Sequence, residues 1–180
     1  MLPTRSWMPA LLSLALTMPA TGLVLVHPRA AWAAPTDFSG TWQLDRAASD
    51  SMEPLLKAQG ISMVERKIAS SLDITQVIQQ AEDTLDLEVK STAKNVVQKM
   101  IVDGESRRIE SDRTGPSMVS HRWKGTVLIT HSIGADPDGV PIRTTITRSL
   151  DDGGATMTQT IVQTTDNGTP ITVRRVFRRQ

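Results

Sequence analysis

The chain has 180 residues, and its 20 Lys and Arg against 19 Asp and Glu give a formal net charge of +1. This balance gives no reason to expect a nucleic-acid partner. Cysteine is absent, so no disulfide can staple the fold, which has to rest on its own hydrophobic core. Outside the first 33 residues, the only histidines are His121 and His131, too isolated to predict a metal site, and no cofactor is predicted.

The first 33 residues have the pattern of a cleavable export signal. Arg5 precedes an uncharged stretch from Leu11 to Val26, and Ala31-Trp32-Ala33 has the small-x-small pattern of a cleavage site. The alternative is a transmembrane anchor, but the apolar stretch is shorter than the roughly 20 residues that a bilayer requires. We therefore expect residues 1–33 to be removed, residues 34–180 to form one domain, and the mature protein to be periplasmic or secreted.

The first part of the mature chain predicts one strand followed by two short helices. Residues 38–44 alternate between apolar and polar side chains, which is typical of a strand. The segment Ser49-Asp50-Ser51 offers N-caps for a first helix that continues through Ala58. Ser62 is expected to cap a second helix that ends near Ala69.

From Leu72 onward the chain predicts one strand after another, separated by tight turns. These strands are expected at about 72–80, 84–90, 95–102, 105–110, 118–123, 126–132, 142–150, 155–165 and 170–178. Short strands joined by tight turns favour an antiparallel meander, and closing it into a barrel removes its edges. The predicted fold is therefore all-β: a ten-stranded antiparallel up-and-down barrel with a short helix-turn-helix lid between the first two strands.

Two arginines lie on strand faces that are otherwise apolar. Strand alternation puts Arg148 on the same face as Ile146, and Arg175 on the same face as Val173 and Phe177. Burying a guanidinium without a partner costs several kcal/mol. The inward neighbours predicted for these arginines are all uncharged: Gln76, Gln98, Gln159 and Gln163. The pattern therefore predicts a hollow interior in which the arginines meet an anionic group or water.

Several segments resemble one protein family. Residues 38–44 (Phe-Ser-Gly-Thr-Trp-Gln-Leu), 52–61 and 65–69 are similar to the start of the intracellular fatty-acid-binding and retinoid-binding proteins, which have lipocalin-like (calycin) barrels. Residues 147–153 and Arg175-Val176-Phe177 are similar to the strands that carry the ligand-binding arginines of that family. The resemblance spans nearly the whole chain after the export signal.

The resemblance implies a barrel that is covered by two helices and encloses a partly water-filled cavity. A small hydrophobic carboxylate, such as a long-chain fatty acid, would lie inside with its carboxylate near Arg148 and Arg175. Three features depart from the family: Phe177 replaces a tyrosine, the last hairpin is longer, and an export signal precedes a domain that is typically cytosolic. The last departure argues for an exported, bacterial form.

The candidate site residues follow from these patterns. The predicted ligand-binding residues are Arg148, Arg175, Phe177, Gln159 and Met157, the last because a thioether adapts to irregular shapes. The resemblance implies that the second helix forms part of the entry portal, with Met63, Val64, Lys67 and Ile68 as its residues. The alternative for the three apolar portal residues is that they seal this helix to the barrel. We expect a monomer without catalytic activity that touches membrane surfaces transiently.

Two other functions remain open from the sequence. The first is a lipocalin-like enzyme, an isomerase or hydrolase of a small apolar substrate, with His131 as its base on the same strand face as Ile129. A purely structural role is the alternative for His131, because spacing identifies no nucleophile and acid beside it. The second is an interaction barrel whose interior is filled by side chains.

Overall fold

Ten β-strands and two short α-helices make up the part of the chain that the computed structural model describes, residues 36–110, 115–136, 139–165 and 168–180. The first half contains β1 (Gly40–Asp45), α1 (Glu53–Ala58), α2 (Met63–Ser71), β2 (Ile74–Ala81), β3 (Thr84–Ser91) and β4 (Val96–Ile101). The second half contains β5 (Arg107–Ile109), β6 (Ser117–Lys124), β7 (Val127–Ala135), β8 (Pro141–Asp151), a 3₁₀ turn (Asp152–Gly154), β9 (Thr156–Thr165) and β10 (Ile171–Arg179). The predicted export signal lies outside the described residues.

The strands form one curled antiparallel sheet in the order β4-β3-β2-β1-β10-β9-β8-β7-β6-β5. Consecutive strands pair with each other, except β4 and β5, and β1 pairs with β10 as well as with β2. This pairing joins the first and last strands, as an up-and-down meander requires. The prediction of an all-β, ten-stranded antiparallel architecture with two helices between β1 and β2 is confirmed.

The expectation that closure removes every sheet edge is wrong. β4 and β5 stand at the two ends of the hydrogen-bonded order and do not pair with each other. The segment between them is fastened instead by two backbone bonds, from Val102 N–H to the carbonyl of Asp83 (2.7 Å) and from Gly104 N–H to that of His121 (2.9 Å). Only three residues of β5 are extended, and a short edge strand offers little template for pairing with another chain.

The two helices begin in different ways. The Ser62 hydroxyl accepts from Glu65 N–H while the Glu65 carboxylate accepts from Ser62 N–H, so the predicted cap of α2 is a full capping box. The expected caps of α1 are wrong: its N-cap is Met52, which makes no side-chain cap bond. Ser49 and Asp50 instead accept from backbone N–H groups of β10, at 2.9 and 2.8 Å, and so tie the segment before α1 to the last strand. In the part of the chain that is described, neither helix is long and apolar enough to cross a membrane.

A hydrophobic core, which we call the closed-end core, fills one end of the sheet. Its fully buried members include Phe38, Trp42, Ile78, Leu85, Met100, Leu128 and Met157. Trp42 donates its indole N–H to the Phe38 carbonyl (2.9 Å), and the Phe38 ring stacks on Trp123 with centroids 5.9 Å apart. Trp42 and Phe38 are thus fixed in the core by both packing and hydrogen bonding. This packing leaves the opposite, helix-covered end as the place for cavities.

Candidate functional site

Strand register brings the two inward arginines into one row. Arg148 of β8 pairs with Gln159 of β9, and Gln159 pairs with Arg175 of β10. Two strand spacings separate the arginine backbones, which is roughly 10 Å. We call Arg148, Gln159 and Arg175 the arginine row. Alternation along one strand can place each arginine on a face, but only pairing between strands can put them side by side.

Arg148 is buried with an incomplete set of partners. Arg148 is only 5% exposed to solvent, and its Nε and Nη1 atoms have no hydrogen-bond partner among the described residues. Burial lowers the pKa of its guanidinium to about 10, which still leaves the group charged at neutral pH. Within the described ranges, no Asp or Glu is among the buried residues. The protein therefore holds a buried positive charge without a buried counter-charge in the part described.

Arg175 is half-buried and stands between two cavities. One is an apolar cavity of about 220 Å³ and the other a polar cavity of about 220 Å³ beneath the segment that leads into α1. Burial, followed by the nearby charge of Arg46, lowers the pKa of Arg175. Its buried Nε finds no hydrogen-bond acceptor in the described part of the chain. Arg175 is thus placed to meet an anion at the wall of the apolar cavity.

The apolar cavity collects several of the predicted ligand-binding residues. Its lining is Met52, Leu56, Ala69, Leu72, Ile74, Gln76, Val89, Gln159, Ile161, Arg175 and Phe177. Gln76 donates its amide N–H to the side-chain oxygen of Gln159 (3.2 Å), which keeps the amide of the arginine row in place. Apolar walls with a few convergent polar groups are the usual make-up of a small-molecule site.

Two of the predicted ligand-binding residues, Arg148 and Met157, are not in the lining of the apolar cavity. Met157 is fully buried in the closed-end core with Phe38 and Trp42, away from the lining of the apolar cavity. Phe177 lies on the wall of the apolar cavity, is 2% exposed, and has no hydroxyl group. Contact of Met157 with a ligand stays a prediction.

The predicted portal residues project into solvent. Met63, Val64 and Ile68 are 59%, 65% and 53% exposed, and Lys67 is also exposed. They do not seal α2 to the sheet, so that alternative is wrong. Ala69, near the end of the same helix, supplies the contact of α2 with the apolar cavity. A role of the four exposed residues in ligand entry stays a prediction.

The histidine inside the barrel is His121, and the inward placement predicted for His131 is wrong. On β6, His121 pairs with Thr130, and its Nδ1 lies 2.9 Å from the Thr130 hydroxyl. His121 is 6% exposed, and burial, followed by the charge of Arg148, lowers its pKa to about 4. His131, one residue beyond Thr130, faces outward and contacts Thr145 (3.1 Å).

The sequence held a signal for this correction. Val119, His121 and Trp123 alternate along β6, and all three share the inner face. On β7, by contrast, Leu128, Ile129 and Thr130 are all buried, so apolarity does not tell the inner face from the outer one. The catalytic hypothesis therefore loses its candidate base.

Unpartnered polar atoms in the interior are mostly donors. In the described residues, the inner-face atoms without partners are Trp123 Nε1, Arg148 Nε and Nη1, Gln163 Nε2, Arg175 Nε and Gln76 Oε1. Five of these six atoms are N–H donors. Buried donors are normally satisfied, so this excess marks an interior suited to a ligand rich in acceptors.

Comparison with known proteins supports this interpretation of the fold. No family model matches the chain. Retinoid-binding protein 7 of Mus musculus is 37% identical over 81 residues, which are 45% of this chain and 57% of that protein. The Homo sapiens protein of the same name is 38% identical over 71 residues, 39% of this chain and 52% of that protein. The chain therefore spans about half the length of the curated relatives it matches.

Solved structures share the fold over a longer part of the chain. Lipid binding protein 8 of Caenorhabditis elegans superimposes with a TM-score of 0.65 at 22% identity, covering 79% of this chain and 95% of that one. Human cRBP IV gives 0.63 at 23% identity and covers 81% and 100%. A structure named REP1-NXSQ fatty acid transporter gives 0.62 at 20% identity and covers 79% and 95%. The chain therefore shares its fold with these structures and is similar in sequence to about half of each retinoid-binding protein.

Proposed function

We propose that this protein binds a small hydrophobic carboxylate, such as a long-chain fatty acid, inside the barrel. The single observation that carries the proposal is the buried guanidinium of Arg148, which is charged at neutral pH and lacks a buried counter-charge among the described residues. A carboxylate supplies that charge and accepts two parallel N–H bonds from a guanidinium fork.

The apolar cavity supports the other half of the ligand. Leu56, Ile74, Val89, Ile161 and Phe177 line it beside Arg175. Each methylene that leaves water for such walls contributes about 0.8 kcal/mol. Micromolar affinity corresponds to about 8 kcal/mol. The tail can therefore supply most of the affinity, while the arginine row selects the head group.

The names of the similar proteins agree with a binding role. They describe retinoid-binding proteins, a lipid binding protein and a fatty acid transporter. We propose by the same reasoning that the chain is a carrier and not an enzyme. The specific ligand and a transport role are part of this proposal.

Export and membrane contact complete the proposal. We propose that residues 1–33 are removed and that the mature protein acts as a monomer in the periplasm or outside the cell. The exposed apolar side chains Met63, Val64 and Ile68 beside Lys67 support transient contact with a membrane surface during ligand exchange. N-terminal sequencing of protein recovered from a secretion-competent host tests the cleavage.

Binding of matched acid and alcohol tests the central proposal. Delipidated protein should bind hexadecanoic acid one-to-one and more tightly than hexadecanol, by titration calorimetry. The double variant Arg148→Leu, Arg175→Leu should lose most of the affinity for the acid and keep its affinity for the alcohol. The matched control is Arg122→Leu, an exposed arginine on β6. Equal losses for acid and alcohol in the double variant would refute the head-group assignment, and absence of binding by the wild type would refute the function.

A further inference from the structure

A second polar row crosses the inner face of the sheet, away from the arginine row. Ser132 of β7 pairs with Thr144 of β8, and Thr144 pairs with Gln163 of β9. We call these three residues the amide–hydroxyl row. They line a pocket of about 120 Å³ together with Gln59, Ser117, Gly134, Ala135 and Ile142. None of the side chains that line it carries a formal charge.

The pocket contains a buried polar atom without a partner. Gln163 is only 2% exposed, and its side-chain oxygen accepts from the amide of Gln59 at the end of α1 (2.9 Å). The other end of the same amide, Nε2, finds no partner within the described residues. A buried amide N–H without a hydrogen-bond acceptor costs free energy, and a ligand oxygen would supply that acceptor.

The backbone leaves room for the hydroxyls on the pocket wall. A Cβ atom on Gly134 would stand 2.6 Å from the Ser117 hydroxyl oxygen, too close for both to keep their places. Glycine at this position therefore lets Ser117 present its hydroxyl to the pocket. The pocket thus combines hydroxyl groups, which both donate and accept, with one unsatisfied amide donor.

An apolar band separates the two polar rows. Ile146 pairs with Ile161, and Ile161 pairs with Val173. These three residues lie along their strands midway between the positions of the two polar rows. Gln159 and Gln163 lie four residues apart on β9, which is roughly 13 Å along an extended strand. The inner face thus presents charge, then an apolar band on which Leu55 of α1 packs, then uncharged hydrogen-bonding groups.

We propose that the amide–hydroxyl row is a second ligand subsite, and that the preferred ligand is an oxygenated fatty acid. Its carboxylate would meet the arginine row, its chain would cross the apolar band, and a hydroxyl or carbonyl oxygen well away from the carboxylate would bond to Gln163. This inference rests on the proposed function, because it takes the carboxylate position from there. An uncharged oxygen is favoured over a second carboxylate because no charged group lines this pocket.

Isomeric ligands test the subsite directly. Titration calorimetry would compare hexadecanoic acid with three monohydroxylated forms, bearing the hydroxyl beside the carboxylate, at mid-chain, and toward the far end. The isomers hydroxylated at mid-chain and toward the far end, which we call the far-half isomers, should bind about 2- to 10-fold more tightly than hexadecanoic acid. This gain corresponds to one net hydrogen bond of about 0.5–1.5 kcal/mol. The isomer hydroxylated beside the carboxylate should show no such gain.

Variants assign the gain to the pocket. Gln163→Leu and, independently, Thr144→Val should remove the preference for the far-half isomers while hexadecanoic acid binds as before. The control is Gln79→Leu on β2, which changes an exposed glutamine outside this pocket and should keep the preference. Two variants are needed because either one alone can perturb folding, which circular dichroism and unaltered binding of hexadecanoic acid would check.

The outcomes separate this inference from the proposed function. If all four acids bind with equal affinity, or if the preference survives in both pocket variants, the second subsite is refuted and the carrier proposal stands. If none of the acids binds to the wild type, the proposed function itself fails, and this inference fails with it.

Discussion

Replacing Arg148 by methionine should stabilise the ligand-free protein. Burial lowers the pKa of this guanidinium from its usual range to about 10, so the folded state disfavours the charged form relative to the unfolded chain. One pKa unit corresponds to 1.36 kcal/mol, and the cost of keeping Arg148 charged in the empty barrel is therefore about 3 kcal/mol. Because the unfolded state binds the proton more strongly, this cost is fully present at neutral pH and disappears only as the pH rises above about 10.

The free energy of unfolding in urea measures this effect. We expect delipidated Arg148→Met to be more stable than the wild type, by up to about 3 kcal/mol, since an apolar side chain of similar length replaces an uncompensated buried charge. The exposed Arg122→Met is the control and should change stability by less than about 0.5 kcal/mol. Hexadecanoic acid should then raise the melting temperature of the wild type more than that of Arg148→Met.

A loss of stability would refute this reasoning. If delipidated Arg148→Met unfolds more easily than the wild type by over about 1 kcal/mol, the guanidinium makes favourable structural interactions in the empty protein. Arg148 would then belong to the scaffold, and the strongest argument for a buried anion site would be lost.

Three further predictions concern the rest of the molecule. The pKa of His121 is lowered to about 4 in the folded protein, so on acidification the unfolded chain takes up a proton before the folded one does. The free energy of unfolding, measured by urea titration, should therefore fall by up to about 3 kcal/mol as the pH drops from 6.5 to 4. The variant His121→Gln should flatten this part of the plot of unfolding free energy against pH. Met157→Ala should lower the free energy of unfolding by about 2–5 kcal/mol, because Met157 is fully buried in the closed-end core, and a loss under about 1 kcal/mol would contradict that placement. Ser62→Ala removes the capping box of α2 and should lower the opening free energy of this helix by about 1 kcal/mol. Amide hydrogen exchange should therefore be faster in α2, while β8 and β9 keep their protection.

Local sequence determined the elements and much of the inner face. Alternation places Arg148 and Arg175 on inner faces, and Gln76, Gln159 and Gln163, which were expected inside, are buried. The cap at Ser62 was readable for the same reason, since a cap depends on residues within one helical turn.

Alternation does not identify the inner face of a strand that is apolar on both faces. On β7, consecutive buried residues gave no contrast between inside and outside, and the wrong histidine was placed in the interior. The exposure of Met63, Val64 and Ile68 was equally hidden, because apolar side chains at helical spacing do not reveal whether a surface lies opposite them. Period-two and helical patterns fix which residues share a face, and contact with another element decides what that face meets.

The sequence by itself determined ten strands, a helix pair and two arginines on apolar faces, because these depend on side-chain alternation and local turns. Only the tertiary structure decided that Arg148, Gln159 and Arg175 form one row and that Ser132, Thr144 and Gln163 form another. The physical reason is strand register: it joins residues far apart in the chain, and a shift of one residue would turn every side chain of a strand to the opposite face.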